Sequence, residues 1–139
     1  MENITSNAQA MLEAMPCAKL LGINIVSATK TEIRASLQWR EELTTTGGSI
    51  HGGVIMSLAD ASGALLAFYN LPPGTGTTTI ESKTNFLKGS PEGSTITAVS
   101  KLLAAGKSLI VVQSDILNQK GQLVAQVTQT QIVLGGSKL

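Results

Sequence analysis

The run His51-Gly52-Gly53, with Asp60 nine residues after the histidine, has the residue types and spacing in this chain that could do chemistry. His51 is the only histidine in the sequence. The two glycines open a segment, Gly52 to Tyr69, with apolar residues at helical spacing. Val54, Leu58, Ala61, Leu65 and Phe68 form one stripe, and Ile55, Ala59 and Leu66 a neighbouring one. The start of a helix leaves backbone N–H groups without intrahelical acceptors, a ready site for a developing oxyanion. A carboxylate inside an apolar helix is costly unless it is paired or used. Amide donors with a carboxylate at this spacing suit hydrolysis, Asp60 acting as general base or nucleophile. The plainer alternative for Asp60 is a carboxylate bonded to a neighbouring serine or exposed at a helix bend.

His51 is a poor candidate for a triad. A triad needs a nucleophile and a further acid, and no G-x-S-x-G elbow is present. A histidine that hydrogen-bonds the loop and holds the glycine turn is the better reading. Ser57 and Ser62 read as helix-packing residues, and the single cysteine, Cys17, as a small buried hydrophobe. One cysteine excludes an intrachain disulfide, and one histidine with scattered carboxylates speaks against a structural zinc site. No metal ligands are assigned.

Stepping from these residues to what must position them, the chain has 139 residues, enough for one domain (1–139) with a sizeable core. Charged residues are only 14%, below the usual quarter, so surface covered by other subunits is expected. A net charge of +1 and 3% aromatics give neither the basic field nor the stacking platform that nucleic acid needs. The N-terminus M-E-N-I-T-S-N has no basic region or long apolar run, which points to a cytoplasmic protein. Gly52 to Tyr69 approaches membrane-span length, but Ser57, Asp60 and Ser62 interrupt it and no positive charges flank it. A buried helix in a protein with no membrane contact is the better reading.

Ser6 can cap a first helix, Pro16 breaks or kinks it, and Gly22 stops it. Ile23 to Ala28 and Glu32 to Trp39 read as strands, then a loop to Ile50 leads into the long helix. The run N-L-P-P-G-T-G (70–76) ends that helix. Four further strands, 78–87, 95–103, 109–117 and 123–134, are separated by short turns and so pair antiparallel. The economical packing is an α+β domain, one antiparallel sheet wrapped around a long central helix, with a far face and edge that call for a dimer or larger assembly.

This order of elements, with H-G-G-x-x-x-x-L-x-D at 51–60, resembles the hotdog fold, and more narrowly the phenylacetic-acid-degradation type of acyl-CoA thioesterase. P-C-A-K-L-L-G-I (16–23), N-F-L-K-G (85–89) and A-G-K-S (105–108) extend the likeness over nearly the whole chain. The resemblance implies an acyl-CoA substrate cleaved to acid and CoA, CoA being part of the substrate and no cofactor being required. It implies that Asp60 activates water or attacks the thioester, that the Gly52 amide polarises the carbonyl, and that a hydroxyl at Thr79 supports the water or the acid. It places the site between subunits of a homodimer or dimer-of-dimers tetramer, with Lys88, Gly89, Lys107 and Ser108 along the coenzyme path. G-K-S here is no P-loop, since the upstream glycine is missing and a strand follows. One departure stands out: where many relatives carry Asn or Gln six residues before the histidine, this chain has Thr45, a shorter hydroxyl. A non-catalytic acyl-CoA-binding module and an enoyl-CoA hydratase are the competing readings.

Overall fold

The structure, a computed structural model, describes residues 1–136. Its elements are α1 (Thr5–Glu13), α2 (Pro16–Leu21), β1 (Asn24–Ala28), β2 (Glu32–Gln38), a 3-10 turn (Glu41–Leu43), α3 (Gly52–Phe68), β3 (Thr75–Phe86), β4 (Thr95–Ala105), β5 (Leu109–Leu117) and β6 (Leu123–Gly135). The strands form one antiparallel sheet in the order β1-β2-β4-β5-β6-β3, with α3 lying across it. The expected α+β hotdog architecture is therefore present. The connection through α3 carries the chain from β2 to the opposite edge, so β3 has a neighbour on one side only.

Alternation along the strands puts one face of the sheet against α3. Ile55, Leu58 and Ala59 pack against Ala35, Leu37, Ile96, Ala98, Ile116 and Val127. Leu65, Leu66 and Ala67 pack with Ile33, Ile110, Val112 and Ala8. Leu58 and Leu66 are fully buried, and truncating either to alanine would cost about 2–5 kcal/mol. The most buried face of α3 thus runs through the second stripe, while Val54 and Ala61 of the first are half-buried and Phe68 is exposed. One polar chain crosses this core: Ser62 Oγ lies 2.8 Å from Ser100 Oγ, which lies 2.6 Å from Ser114 Oγ.

The outer face of the sheet mixes charged and polar residues with apolar ones such as Leu109. Arg34 there donates to Glu32 at 2.8 Å, a bond that holds the Glu32 carboxyl below the usual carboxylate range. Register breaks in β3 between Thr79 and Glu81, leaving Ile80 as a bulge. Before it Thr77 and Thr79 face inward, and after it Ser82 and Thr84 do.

Two local expectations, the Ser6 cap and the burial of Cys17, are corrected, while the break at Pro16 and the stop at Gly22 are borne out. Helix α1 begins at Thr5, preceded by Ile4 without a side-chain cap, and Ser6 lies inside it. Thr5 Oγ1 instead accepts the Ala28 N–H at 3.0 Å, tying the helix to β1. Pro16 starts a second helix, where its missing N–H is no loss, and Gly22 closes that helix at φ 75°. Cys17 is exposed, because the short helix α2 turns Ala18 rather than Cys17 to the core.

Candidate active site

Loop and helix meet at His51, the N-cap of α3. Its Nδ1 accepts the Gly53 N–H at 2.8 Å, its own N–H donates to Leu43 O at 2.8 Å, and its carbonyl accepts from Val54 at 2.9 Å. The ring is thus occupied as a helix cap. Among the described residues the Gly52 N–H has no acceptor, as expected for the first turn of a helix. Phe86 closes over Gly52: a Cβ there would lie 3.1 Å from Phe86 Cζ.

Two turns further along α3, about 12 Å at 1.5 Å per residue, stands Asp60. It is half-buried and faces β3 and β6. Thr79 Oγ1 donates to its Oδ1 at 2.7 Å, and Gln129 Nε2 donates to the same oxygen at 3.1 Å. Gln131 Nε2 donates to Thr79 Oγ1, and Gln131 Oε1 accepts from Thr77 Oγ1 at 3.1 Å. Both glutamines are fully buried. Sequence reasoning named Thr79 but missed Gln129 and Gln131, although extending the alternation from Ala125 and Val127 puts both on the inner face.

The remaining sequence-derived positions fall in three places. Lys88 and Gly89 line a groove of about 370 Å³ together with Gly52, Ile55, Phe86 and Ser90. Lys107 and Ser108 line a separate groove of about 820 Å³, with Pro72, Thr75 and Leu134, beyond the C-terminal end of α3. The chain alone does not bring the two lysines to one site. Thr45 is exposed in the loop before His51: its backbone pairs with Ser49 and Gly48, and its hydroxyl makes no hydrogen bond. Among the large apolar residues of α3, Met56 and Phe68 are exposed but Leu65 is buried in the core.

A donor-held carboxylate and a free first-turn amide are the kinds of group that carbonyl hydrolysis can use. Residues 47–125 match the model of the thioesterase superfamily. The chain belongs to that superfamily. The acyl-coenzyme A thioesterase PaaI of Escherichia coli is 30% identical over 131 residues, spanning 94% of this chain and 91% of PaaI. The solved structure of PaaI superposes with a TM-score of 0.85, covering 95% of this chain and 94% of that one. Human acyl-coenzyme A thioesterase 13 is 28% identical over 138 residues, 94% of this chain and 96% of its own. A Streptococcus mutans protein solved with acetyl-CoA bound is 28% identical with a TM-score of 0.75, covering 84% of this chain and 91% of that one. This thioesterase is thus a PaaI-like hotdog enzyme, a thioester hydrolase. No helix among its described residues is long and apolar enough to cross a membrane.

Proposed function

We propose that this thioesterase hydrolyses an acyl-CoA or aryl-CoA thioester, with Asp60 of one protomer and the Gly52 amide of its partner acting on the same carbonyl. The observation that carries this is the pair of facts about α3: a carboxylate held by two donors, and an unpaired amide two turns away. About 12 Å along a rigid helix is too far for both groups of one chain to reach one thioester, whose reacting atoms must sit about 3 Å from each. Two antiparallel copies of α3 would bring each Asp60 to the other's Gly52. The free edge of β3, with Ile80 55% and Phe86 51% exposed, supports pairing at that side.

As general base, Asp60 takes a proton from water while the water oxygen bonds to the thioester carbon. The carbonyl electrons move onto oxygen, where the Gly52 N–H and the positive end of α3 stabilise them. The carbonyl then re-forms, the C–S bond breaks, and the CoA thiolate leaves and takes up a proton. As nucleophile, the Asp60 carboxylate would instead add to the thioester carbon, the C–S bond would break with departure of the CoA thiolate, and water would then open the acyl-aspartyl anhydride to the free acid and Asp60. Lys88 beside the Gly52 groove is suited to a coenzyme phosphate, and Lys107 and Ser108 reach the same substrate only from another protomer.

The test is release of free thiol from acetyl-, octanoyl- and benzoyl-CoA. Asp60→Asn should lower kcat at least about a hundredfold while the oligomer stays folded. Wild-type rates in Asp60→Asn would remove Asp60 from the reaction, and binding of all three thioesters by the wild-type protein without thiol release would overturn the proposal.

A further inference from the structure

Asp60 is approached from the sheet by two buried amides, and their arrangement is directional. An ionised carboxylate only accepts hydrogen bonds, so the single hydroxyl hydrogen of Thr79 is committed to Asp60 Oδ1. The Thr79 oxygen must then accept, which requires Gln131 to present its Nε2 there. That turns Gln131 Oε1 toward the Thr77 hydroxyl, whose single hydrogen it shares with the Ile132 carbonyl at 2.9 Å. Gln129 adds a second N–H to Oδ1 from one inward position earlier on β6. Both donors converge on one carboxylate oxygen, and among the described residues Oδ2 has no hydrogen-bond partner.

The placement of Gln129 is bought with two unfavourable features. Its Oε1 is buried without a partner, which costs free energy. It also fits only because residue 63, one turn after Asp60, is glycine: a Cβ at Gly63 would lie 2.1 Å from Gln129 Oε1. Glycine in a helix interior is itself destabilising relative to alanine. A helix optimised for packing alone would have alanine there and an apolar residue facing it. Local rules broken together beside a reactive group mark a functional arrangement.

We propose that Gln129 and Gln131 are positioning residues of this thioesterase: they hold Oδ1 of Asp60 and leave Oδ2 to act on water or on the thioester carbon. Gln129 acts directly on the carboxylate and Gln131 through Thr79, and Gly63 makes room for the first. This rests on Asp60 being the reacting carboxylate, so Asp60→Asn is measured alongside. The experiment is steady-state hydrolysis of whichever of acetyl-, octanoyl- and benzoyl-CoA the wild type turns over best, with Gln129→Met, Gln131→Met and Gly63→Ala. Methionine keeps the length and shape of each glutamine but removes its donors. Loss of one hydrogen bond to a charged group should lower kcat about tenfold to a hundredfold in Gln129→Met, with KM within about threefold. Gln131→Met should lower kcat about tenfold, because Thr79 can still donate but is no longer held to that direction. Gly63→Ala should reproduce Gln129→Met, and combining the two should cost little more than either alone. A merely structural role would appear as a lower melting temperature with kcat kept. Inactive Asp60→Asn with kcat in Gln129→Met and Gln131→Met within twofold of wild type would overturn this proposal and leave the role of Asp60 intact. Wild-type activity in Asp60→Asn would overturn both. If Gln129→Met does not fold, Gln131→Met, which touches neither Asp60 nor Gly63, decides.

Discussion

His51 shows how a conspicuous residue can serve structure beside a reactive group. Its Nδ1 is occupied by the Gly53 amide, so the ring caps α3 and fixes the direction in which Gly52 presents its N–H. Replacing a good N-cap by alanine costs about 1 kcal/mol, so His51→Ala should lose about that much in urea unfolding at fixed protein concentration. His51→Asn should recover most of it, because asparagine is itself a preferred cap. Asp60 was legible in the sequence as a charge out of place among Leu58, Ala59 and Ala61. Thr79 was legible only through the resemblance, and the glutamines were not legible, because the run Q-V-T-Q-T-Q in β6 has polar residues on both faces, and hydropathy does not say which face is inside. The phase set by Ala125 and Val127 does say so, and only a polar partner on α3 gives an inward glutamine a reason to be there.

At the scale of elements, the sequence located α3 almost to the residue, because an apolar run begins at a glycine pair and ends at N-L-P-P-G. It placed the strands within a few residues but not their order, since local alternation carries no information about which strand neighbours which. β3 starts at Thr75 rather than Thr78, since residues before the expected start pair with the end of β6. Its bulge at Ile80 was not legible either, because an inserted residue looks like any other in the pattern. The entry into the sheet depends on a junction at Gly22. Gly22 has φ 75°, and a Cβ there would lie 2.8 Å from Arg40 Nη1, which donates to the Leu21 carbonyl at 2.9 Å. Gly22→Ala should therefore cost about 1–2 kcal/mol from left-handed backbone alone, and more if Arg40 is displaced. Thermal unfolding of the variant beside Arg40→Ala would separate the two contributions.

At the scale of the whole molecule, the free edge of β3 and the apolar side chains around it are the reason to expect a second copy. If protomers pair there, Ile80→Lys should move the protein toward monomer in sedimentation, and kcat should fall with it because each site would lose its partner's Gly52. A monomer with wild-type kcat would separate assembly from catalysis. The distance from Gly52 to Asp60 is set within one helix, but the fit between copies depends on how that helix sits on its sheet. Much of its buried surface is alanine, leucine and glycine, a smooth surface on which a shift by one turn would meet similar neighbours. The Ser62–Ser100–Ser114 chain is an exception to that smoothness. A slip by one turn would leave the Ser62 hydroxyl in hydrocarbon while Ser100 and Ser114 kept each other, so this one contact works as a detent: it favours a single resting place for α3, and, if protomers pair, a single value for the distance between two active sites.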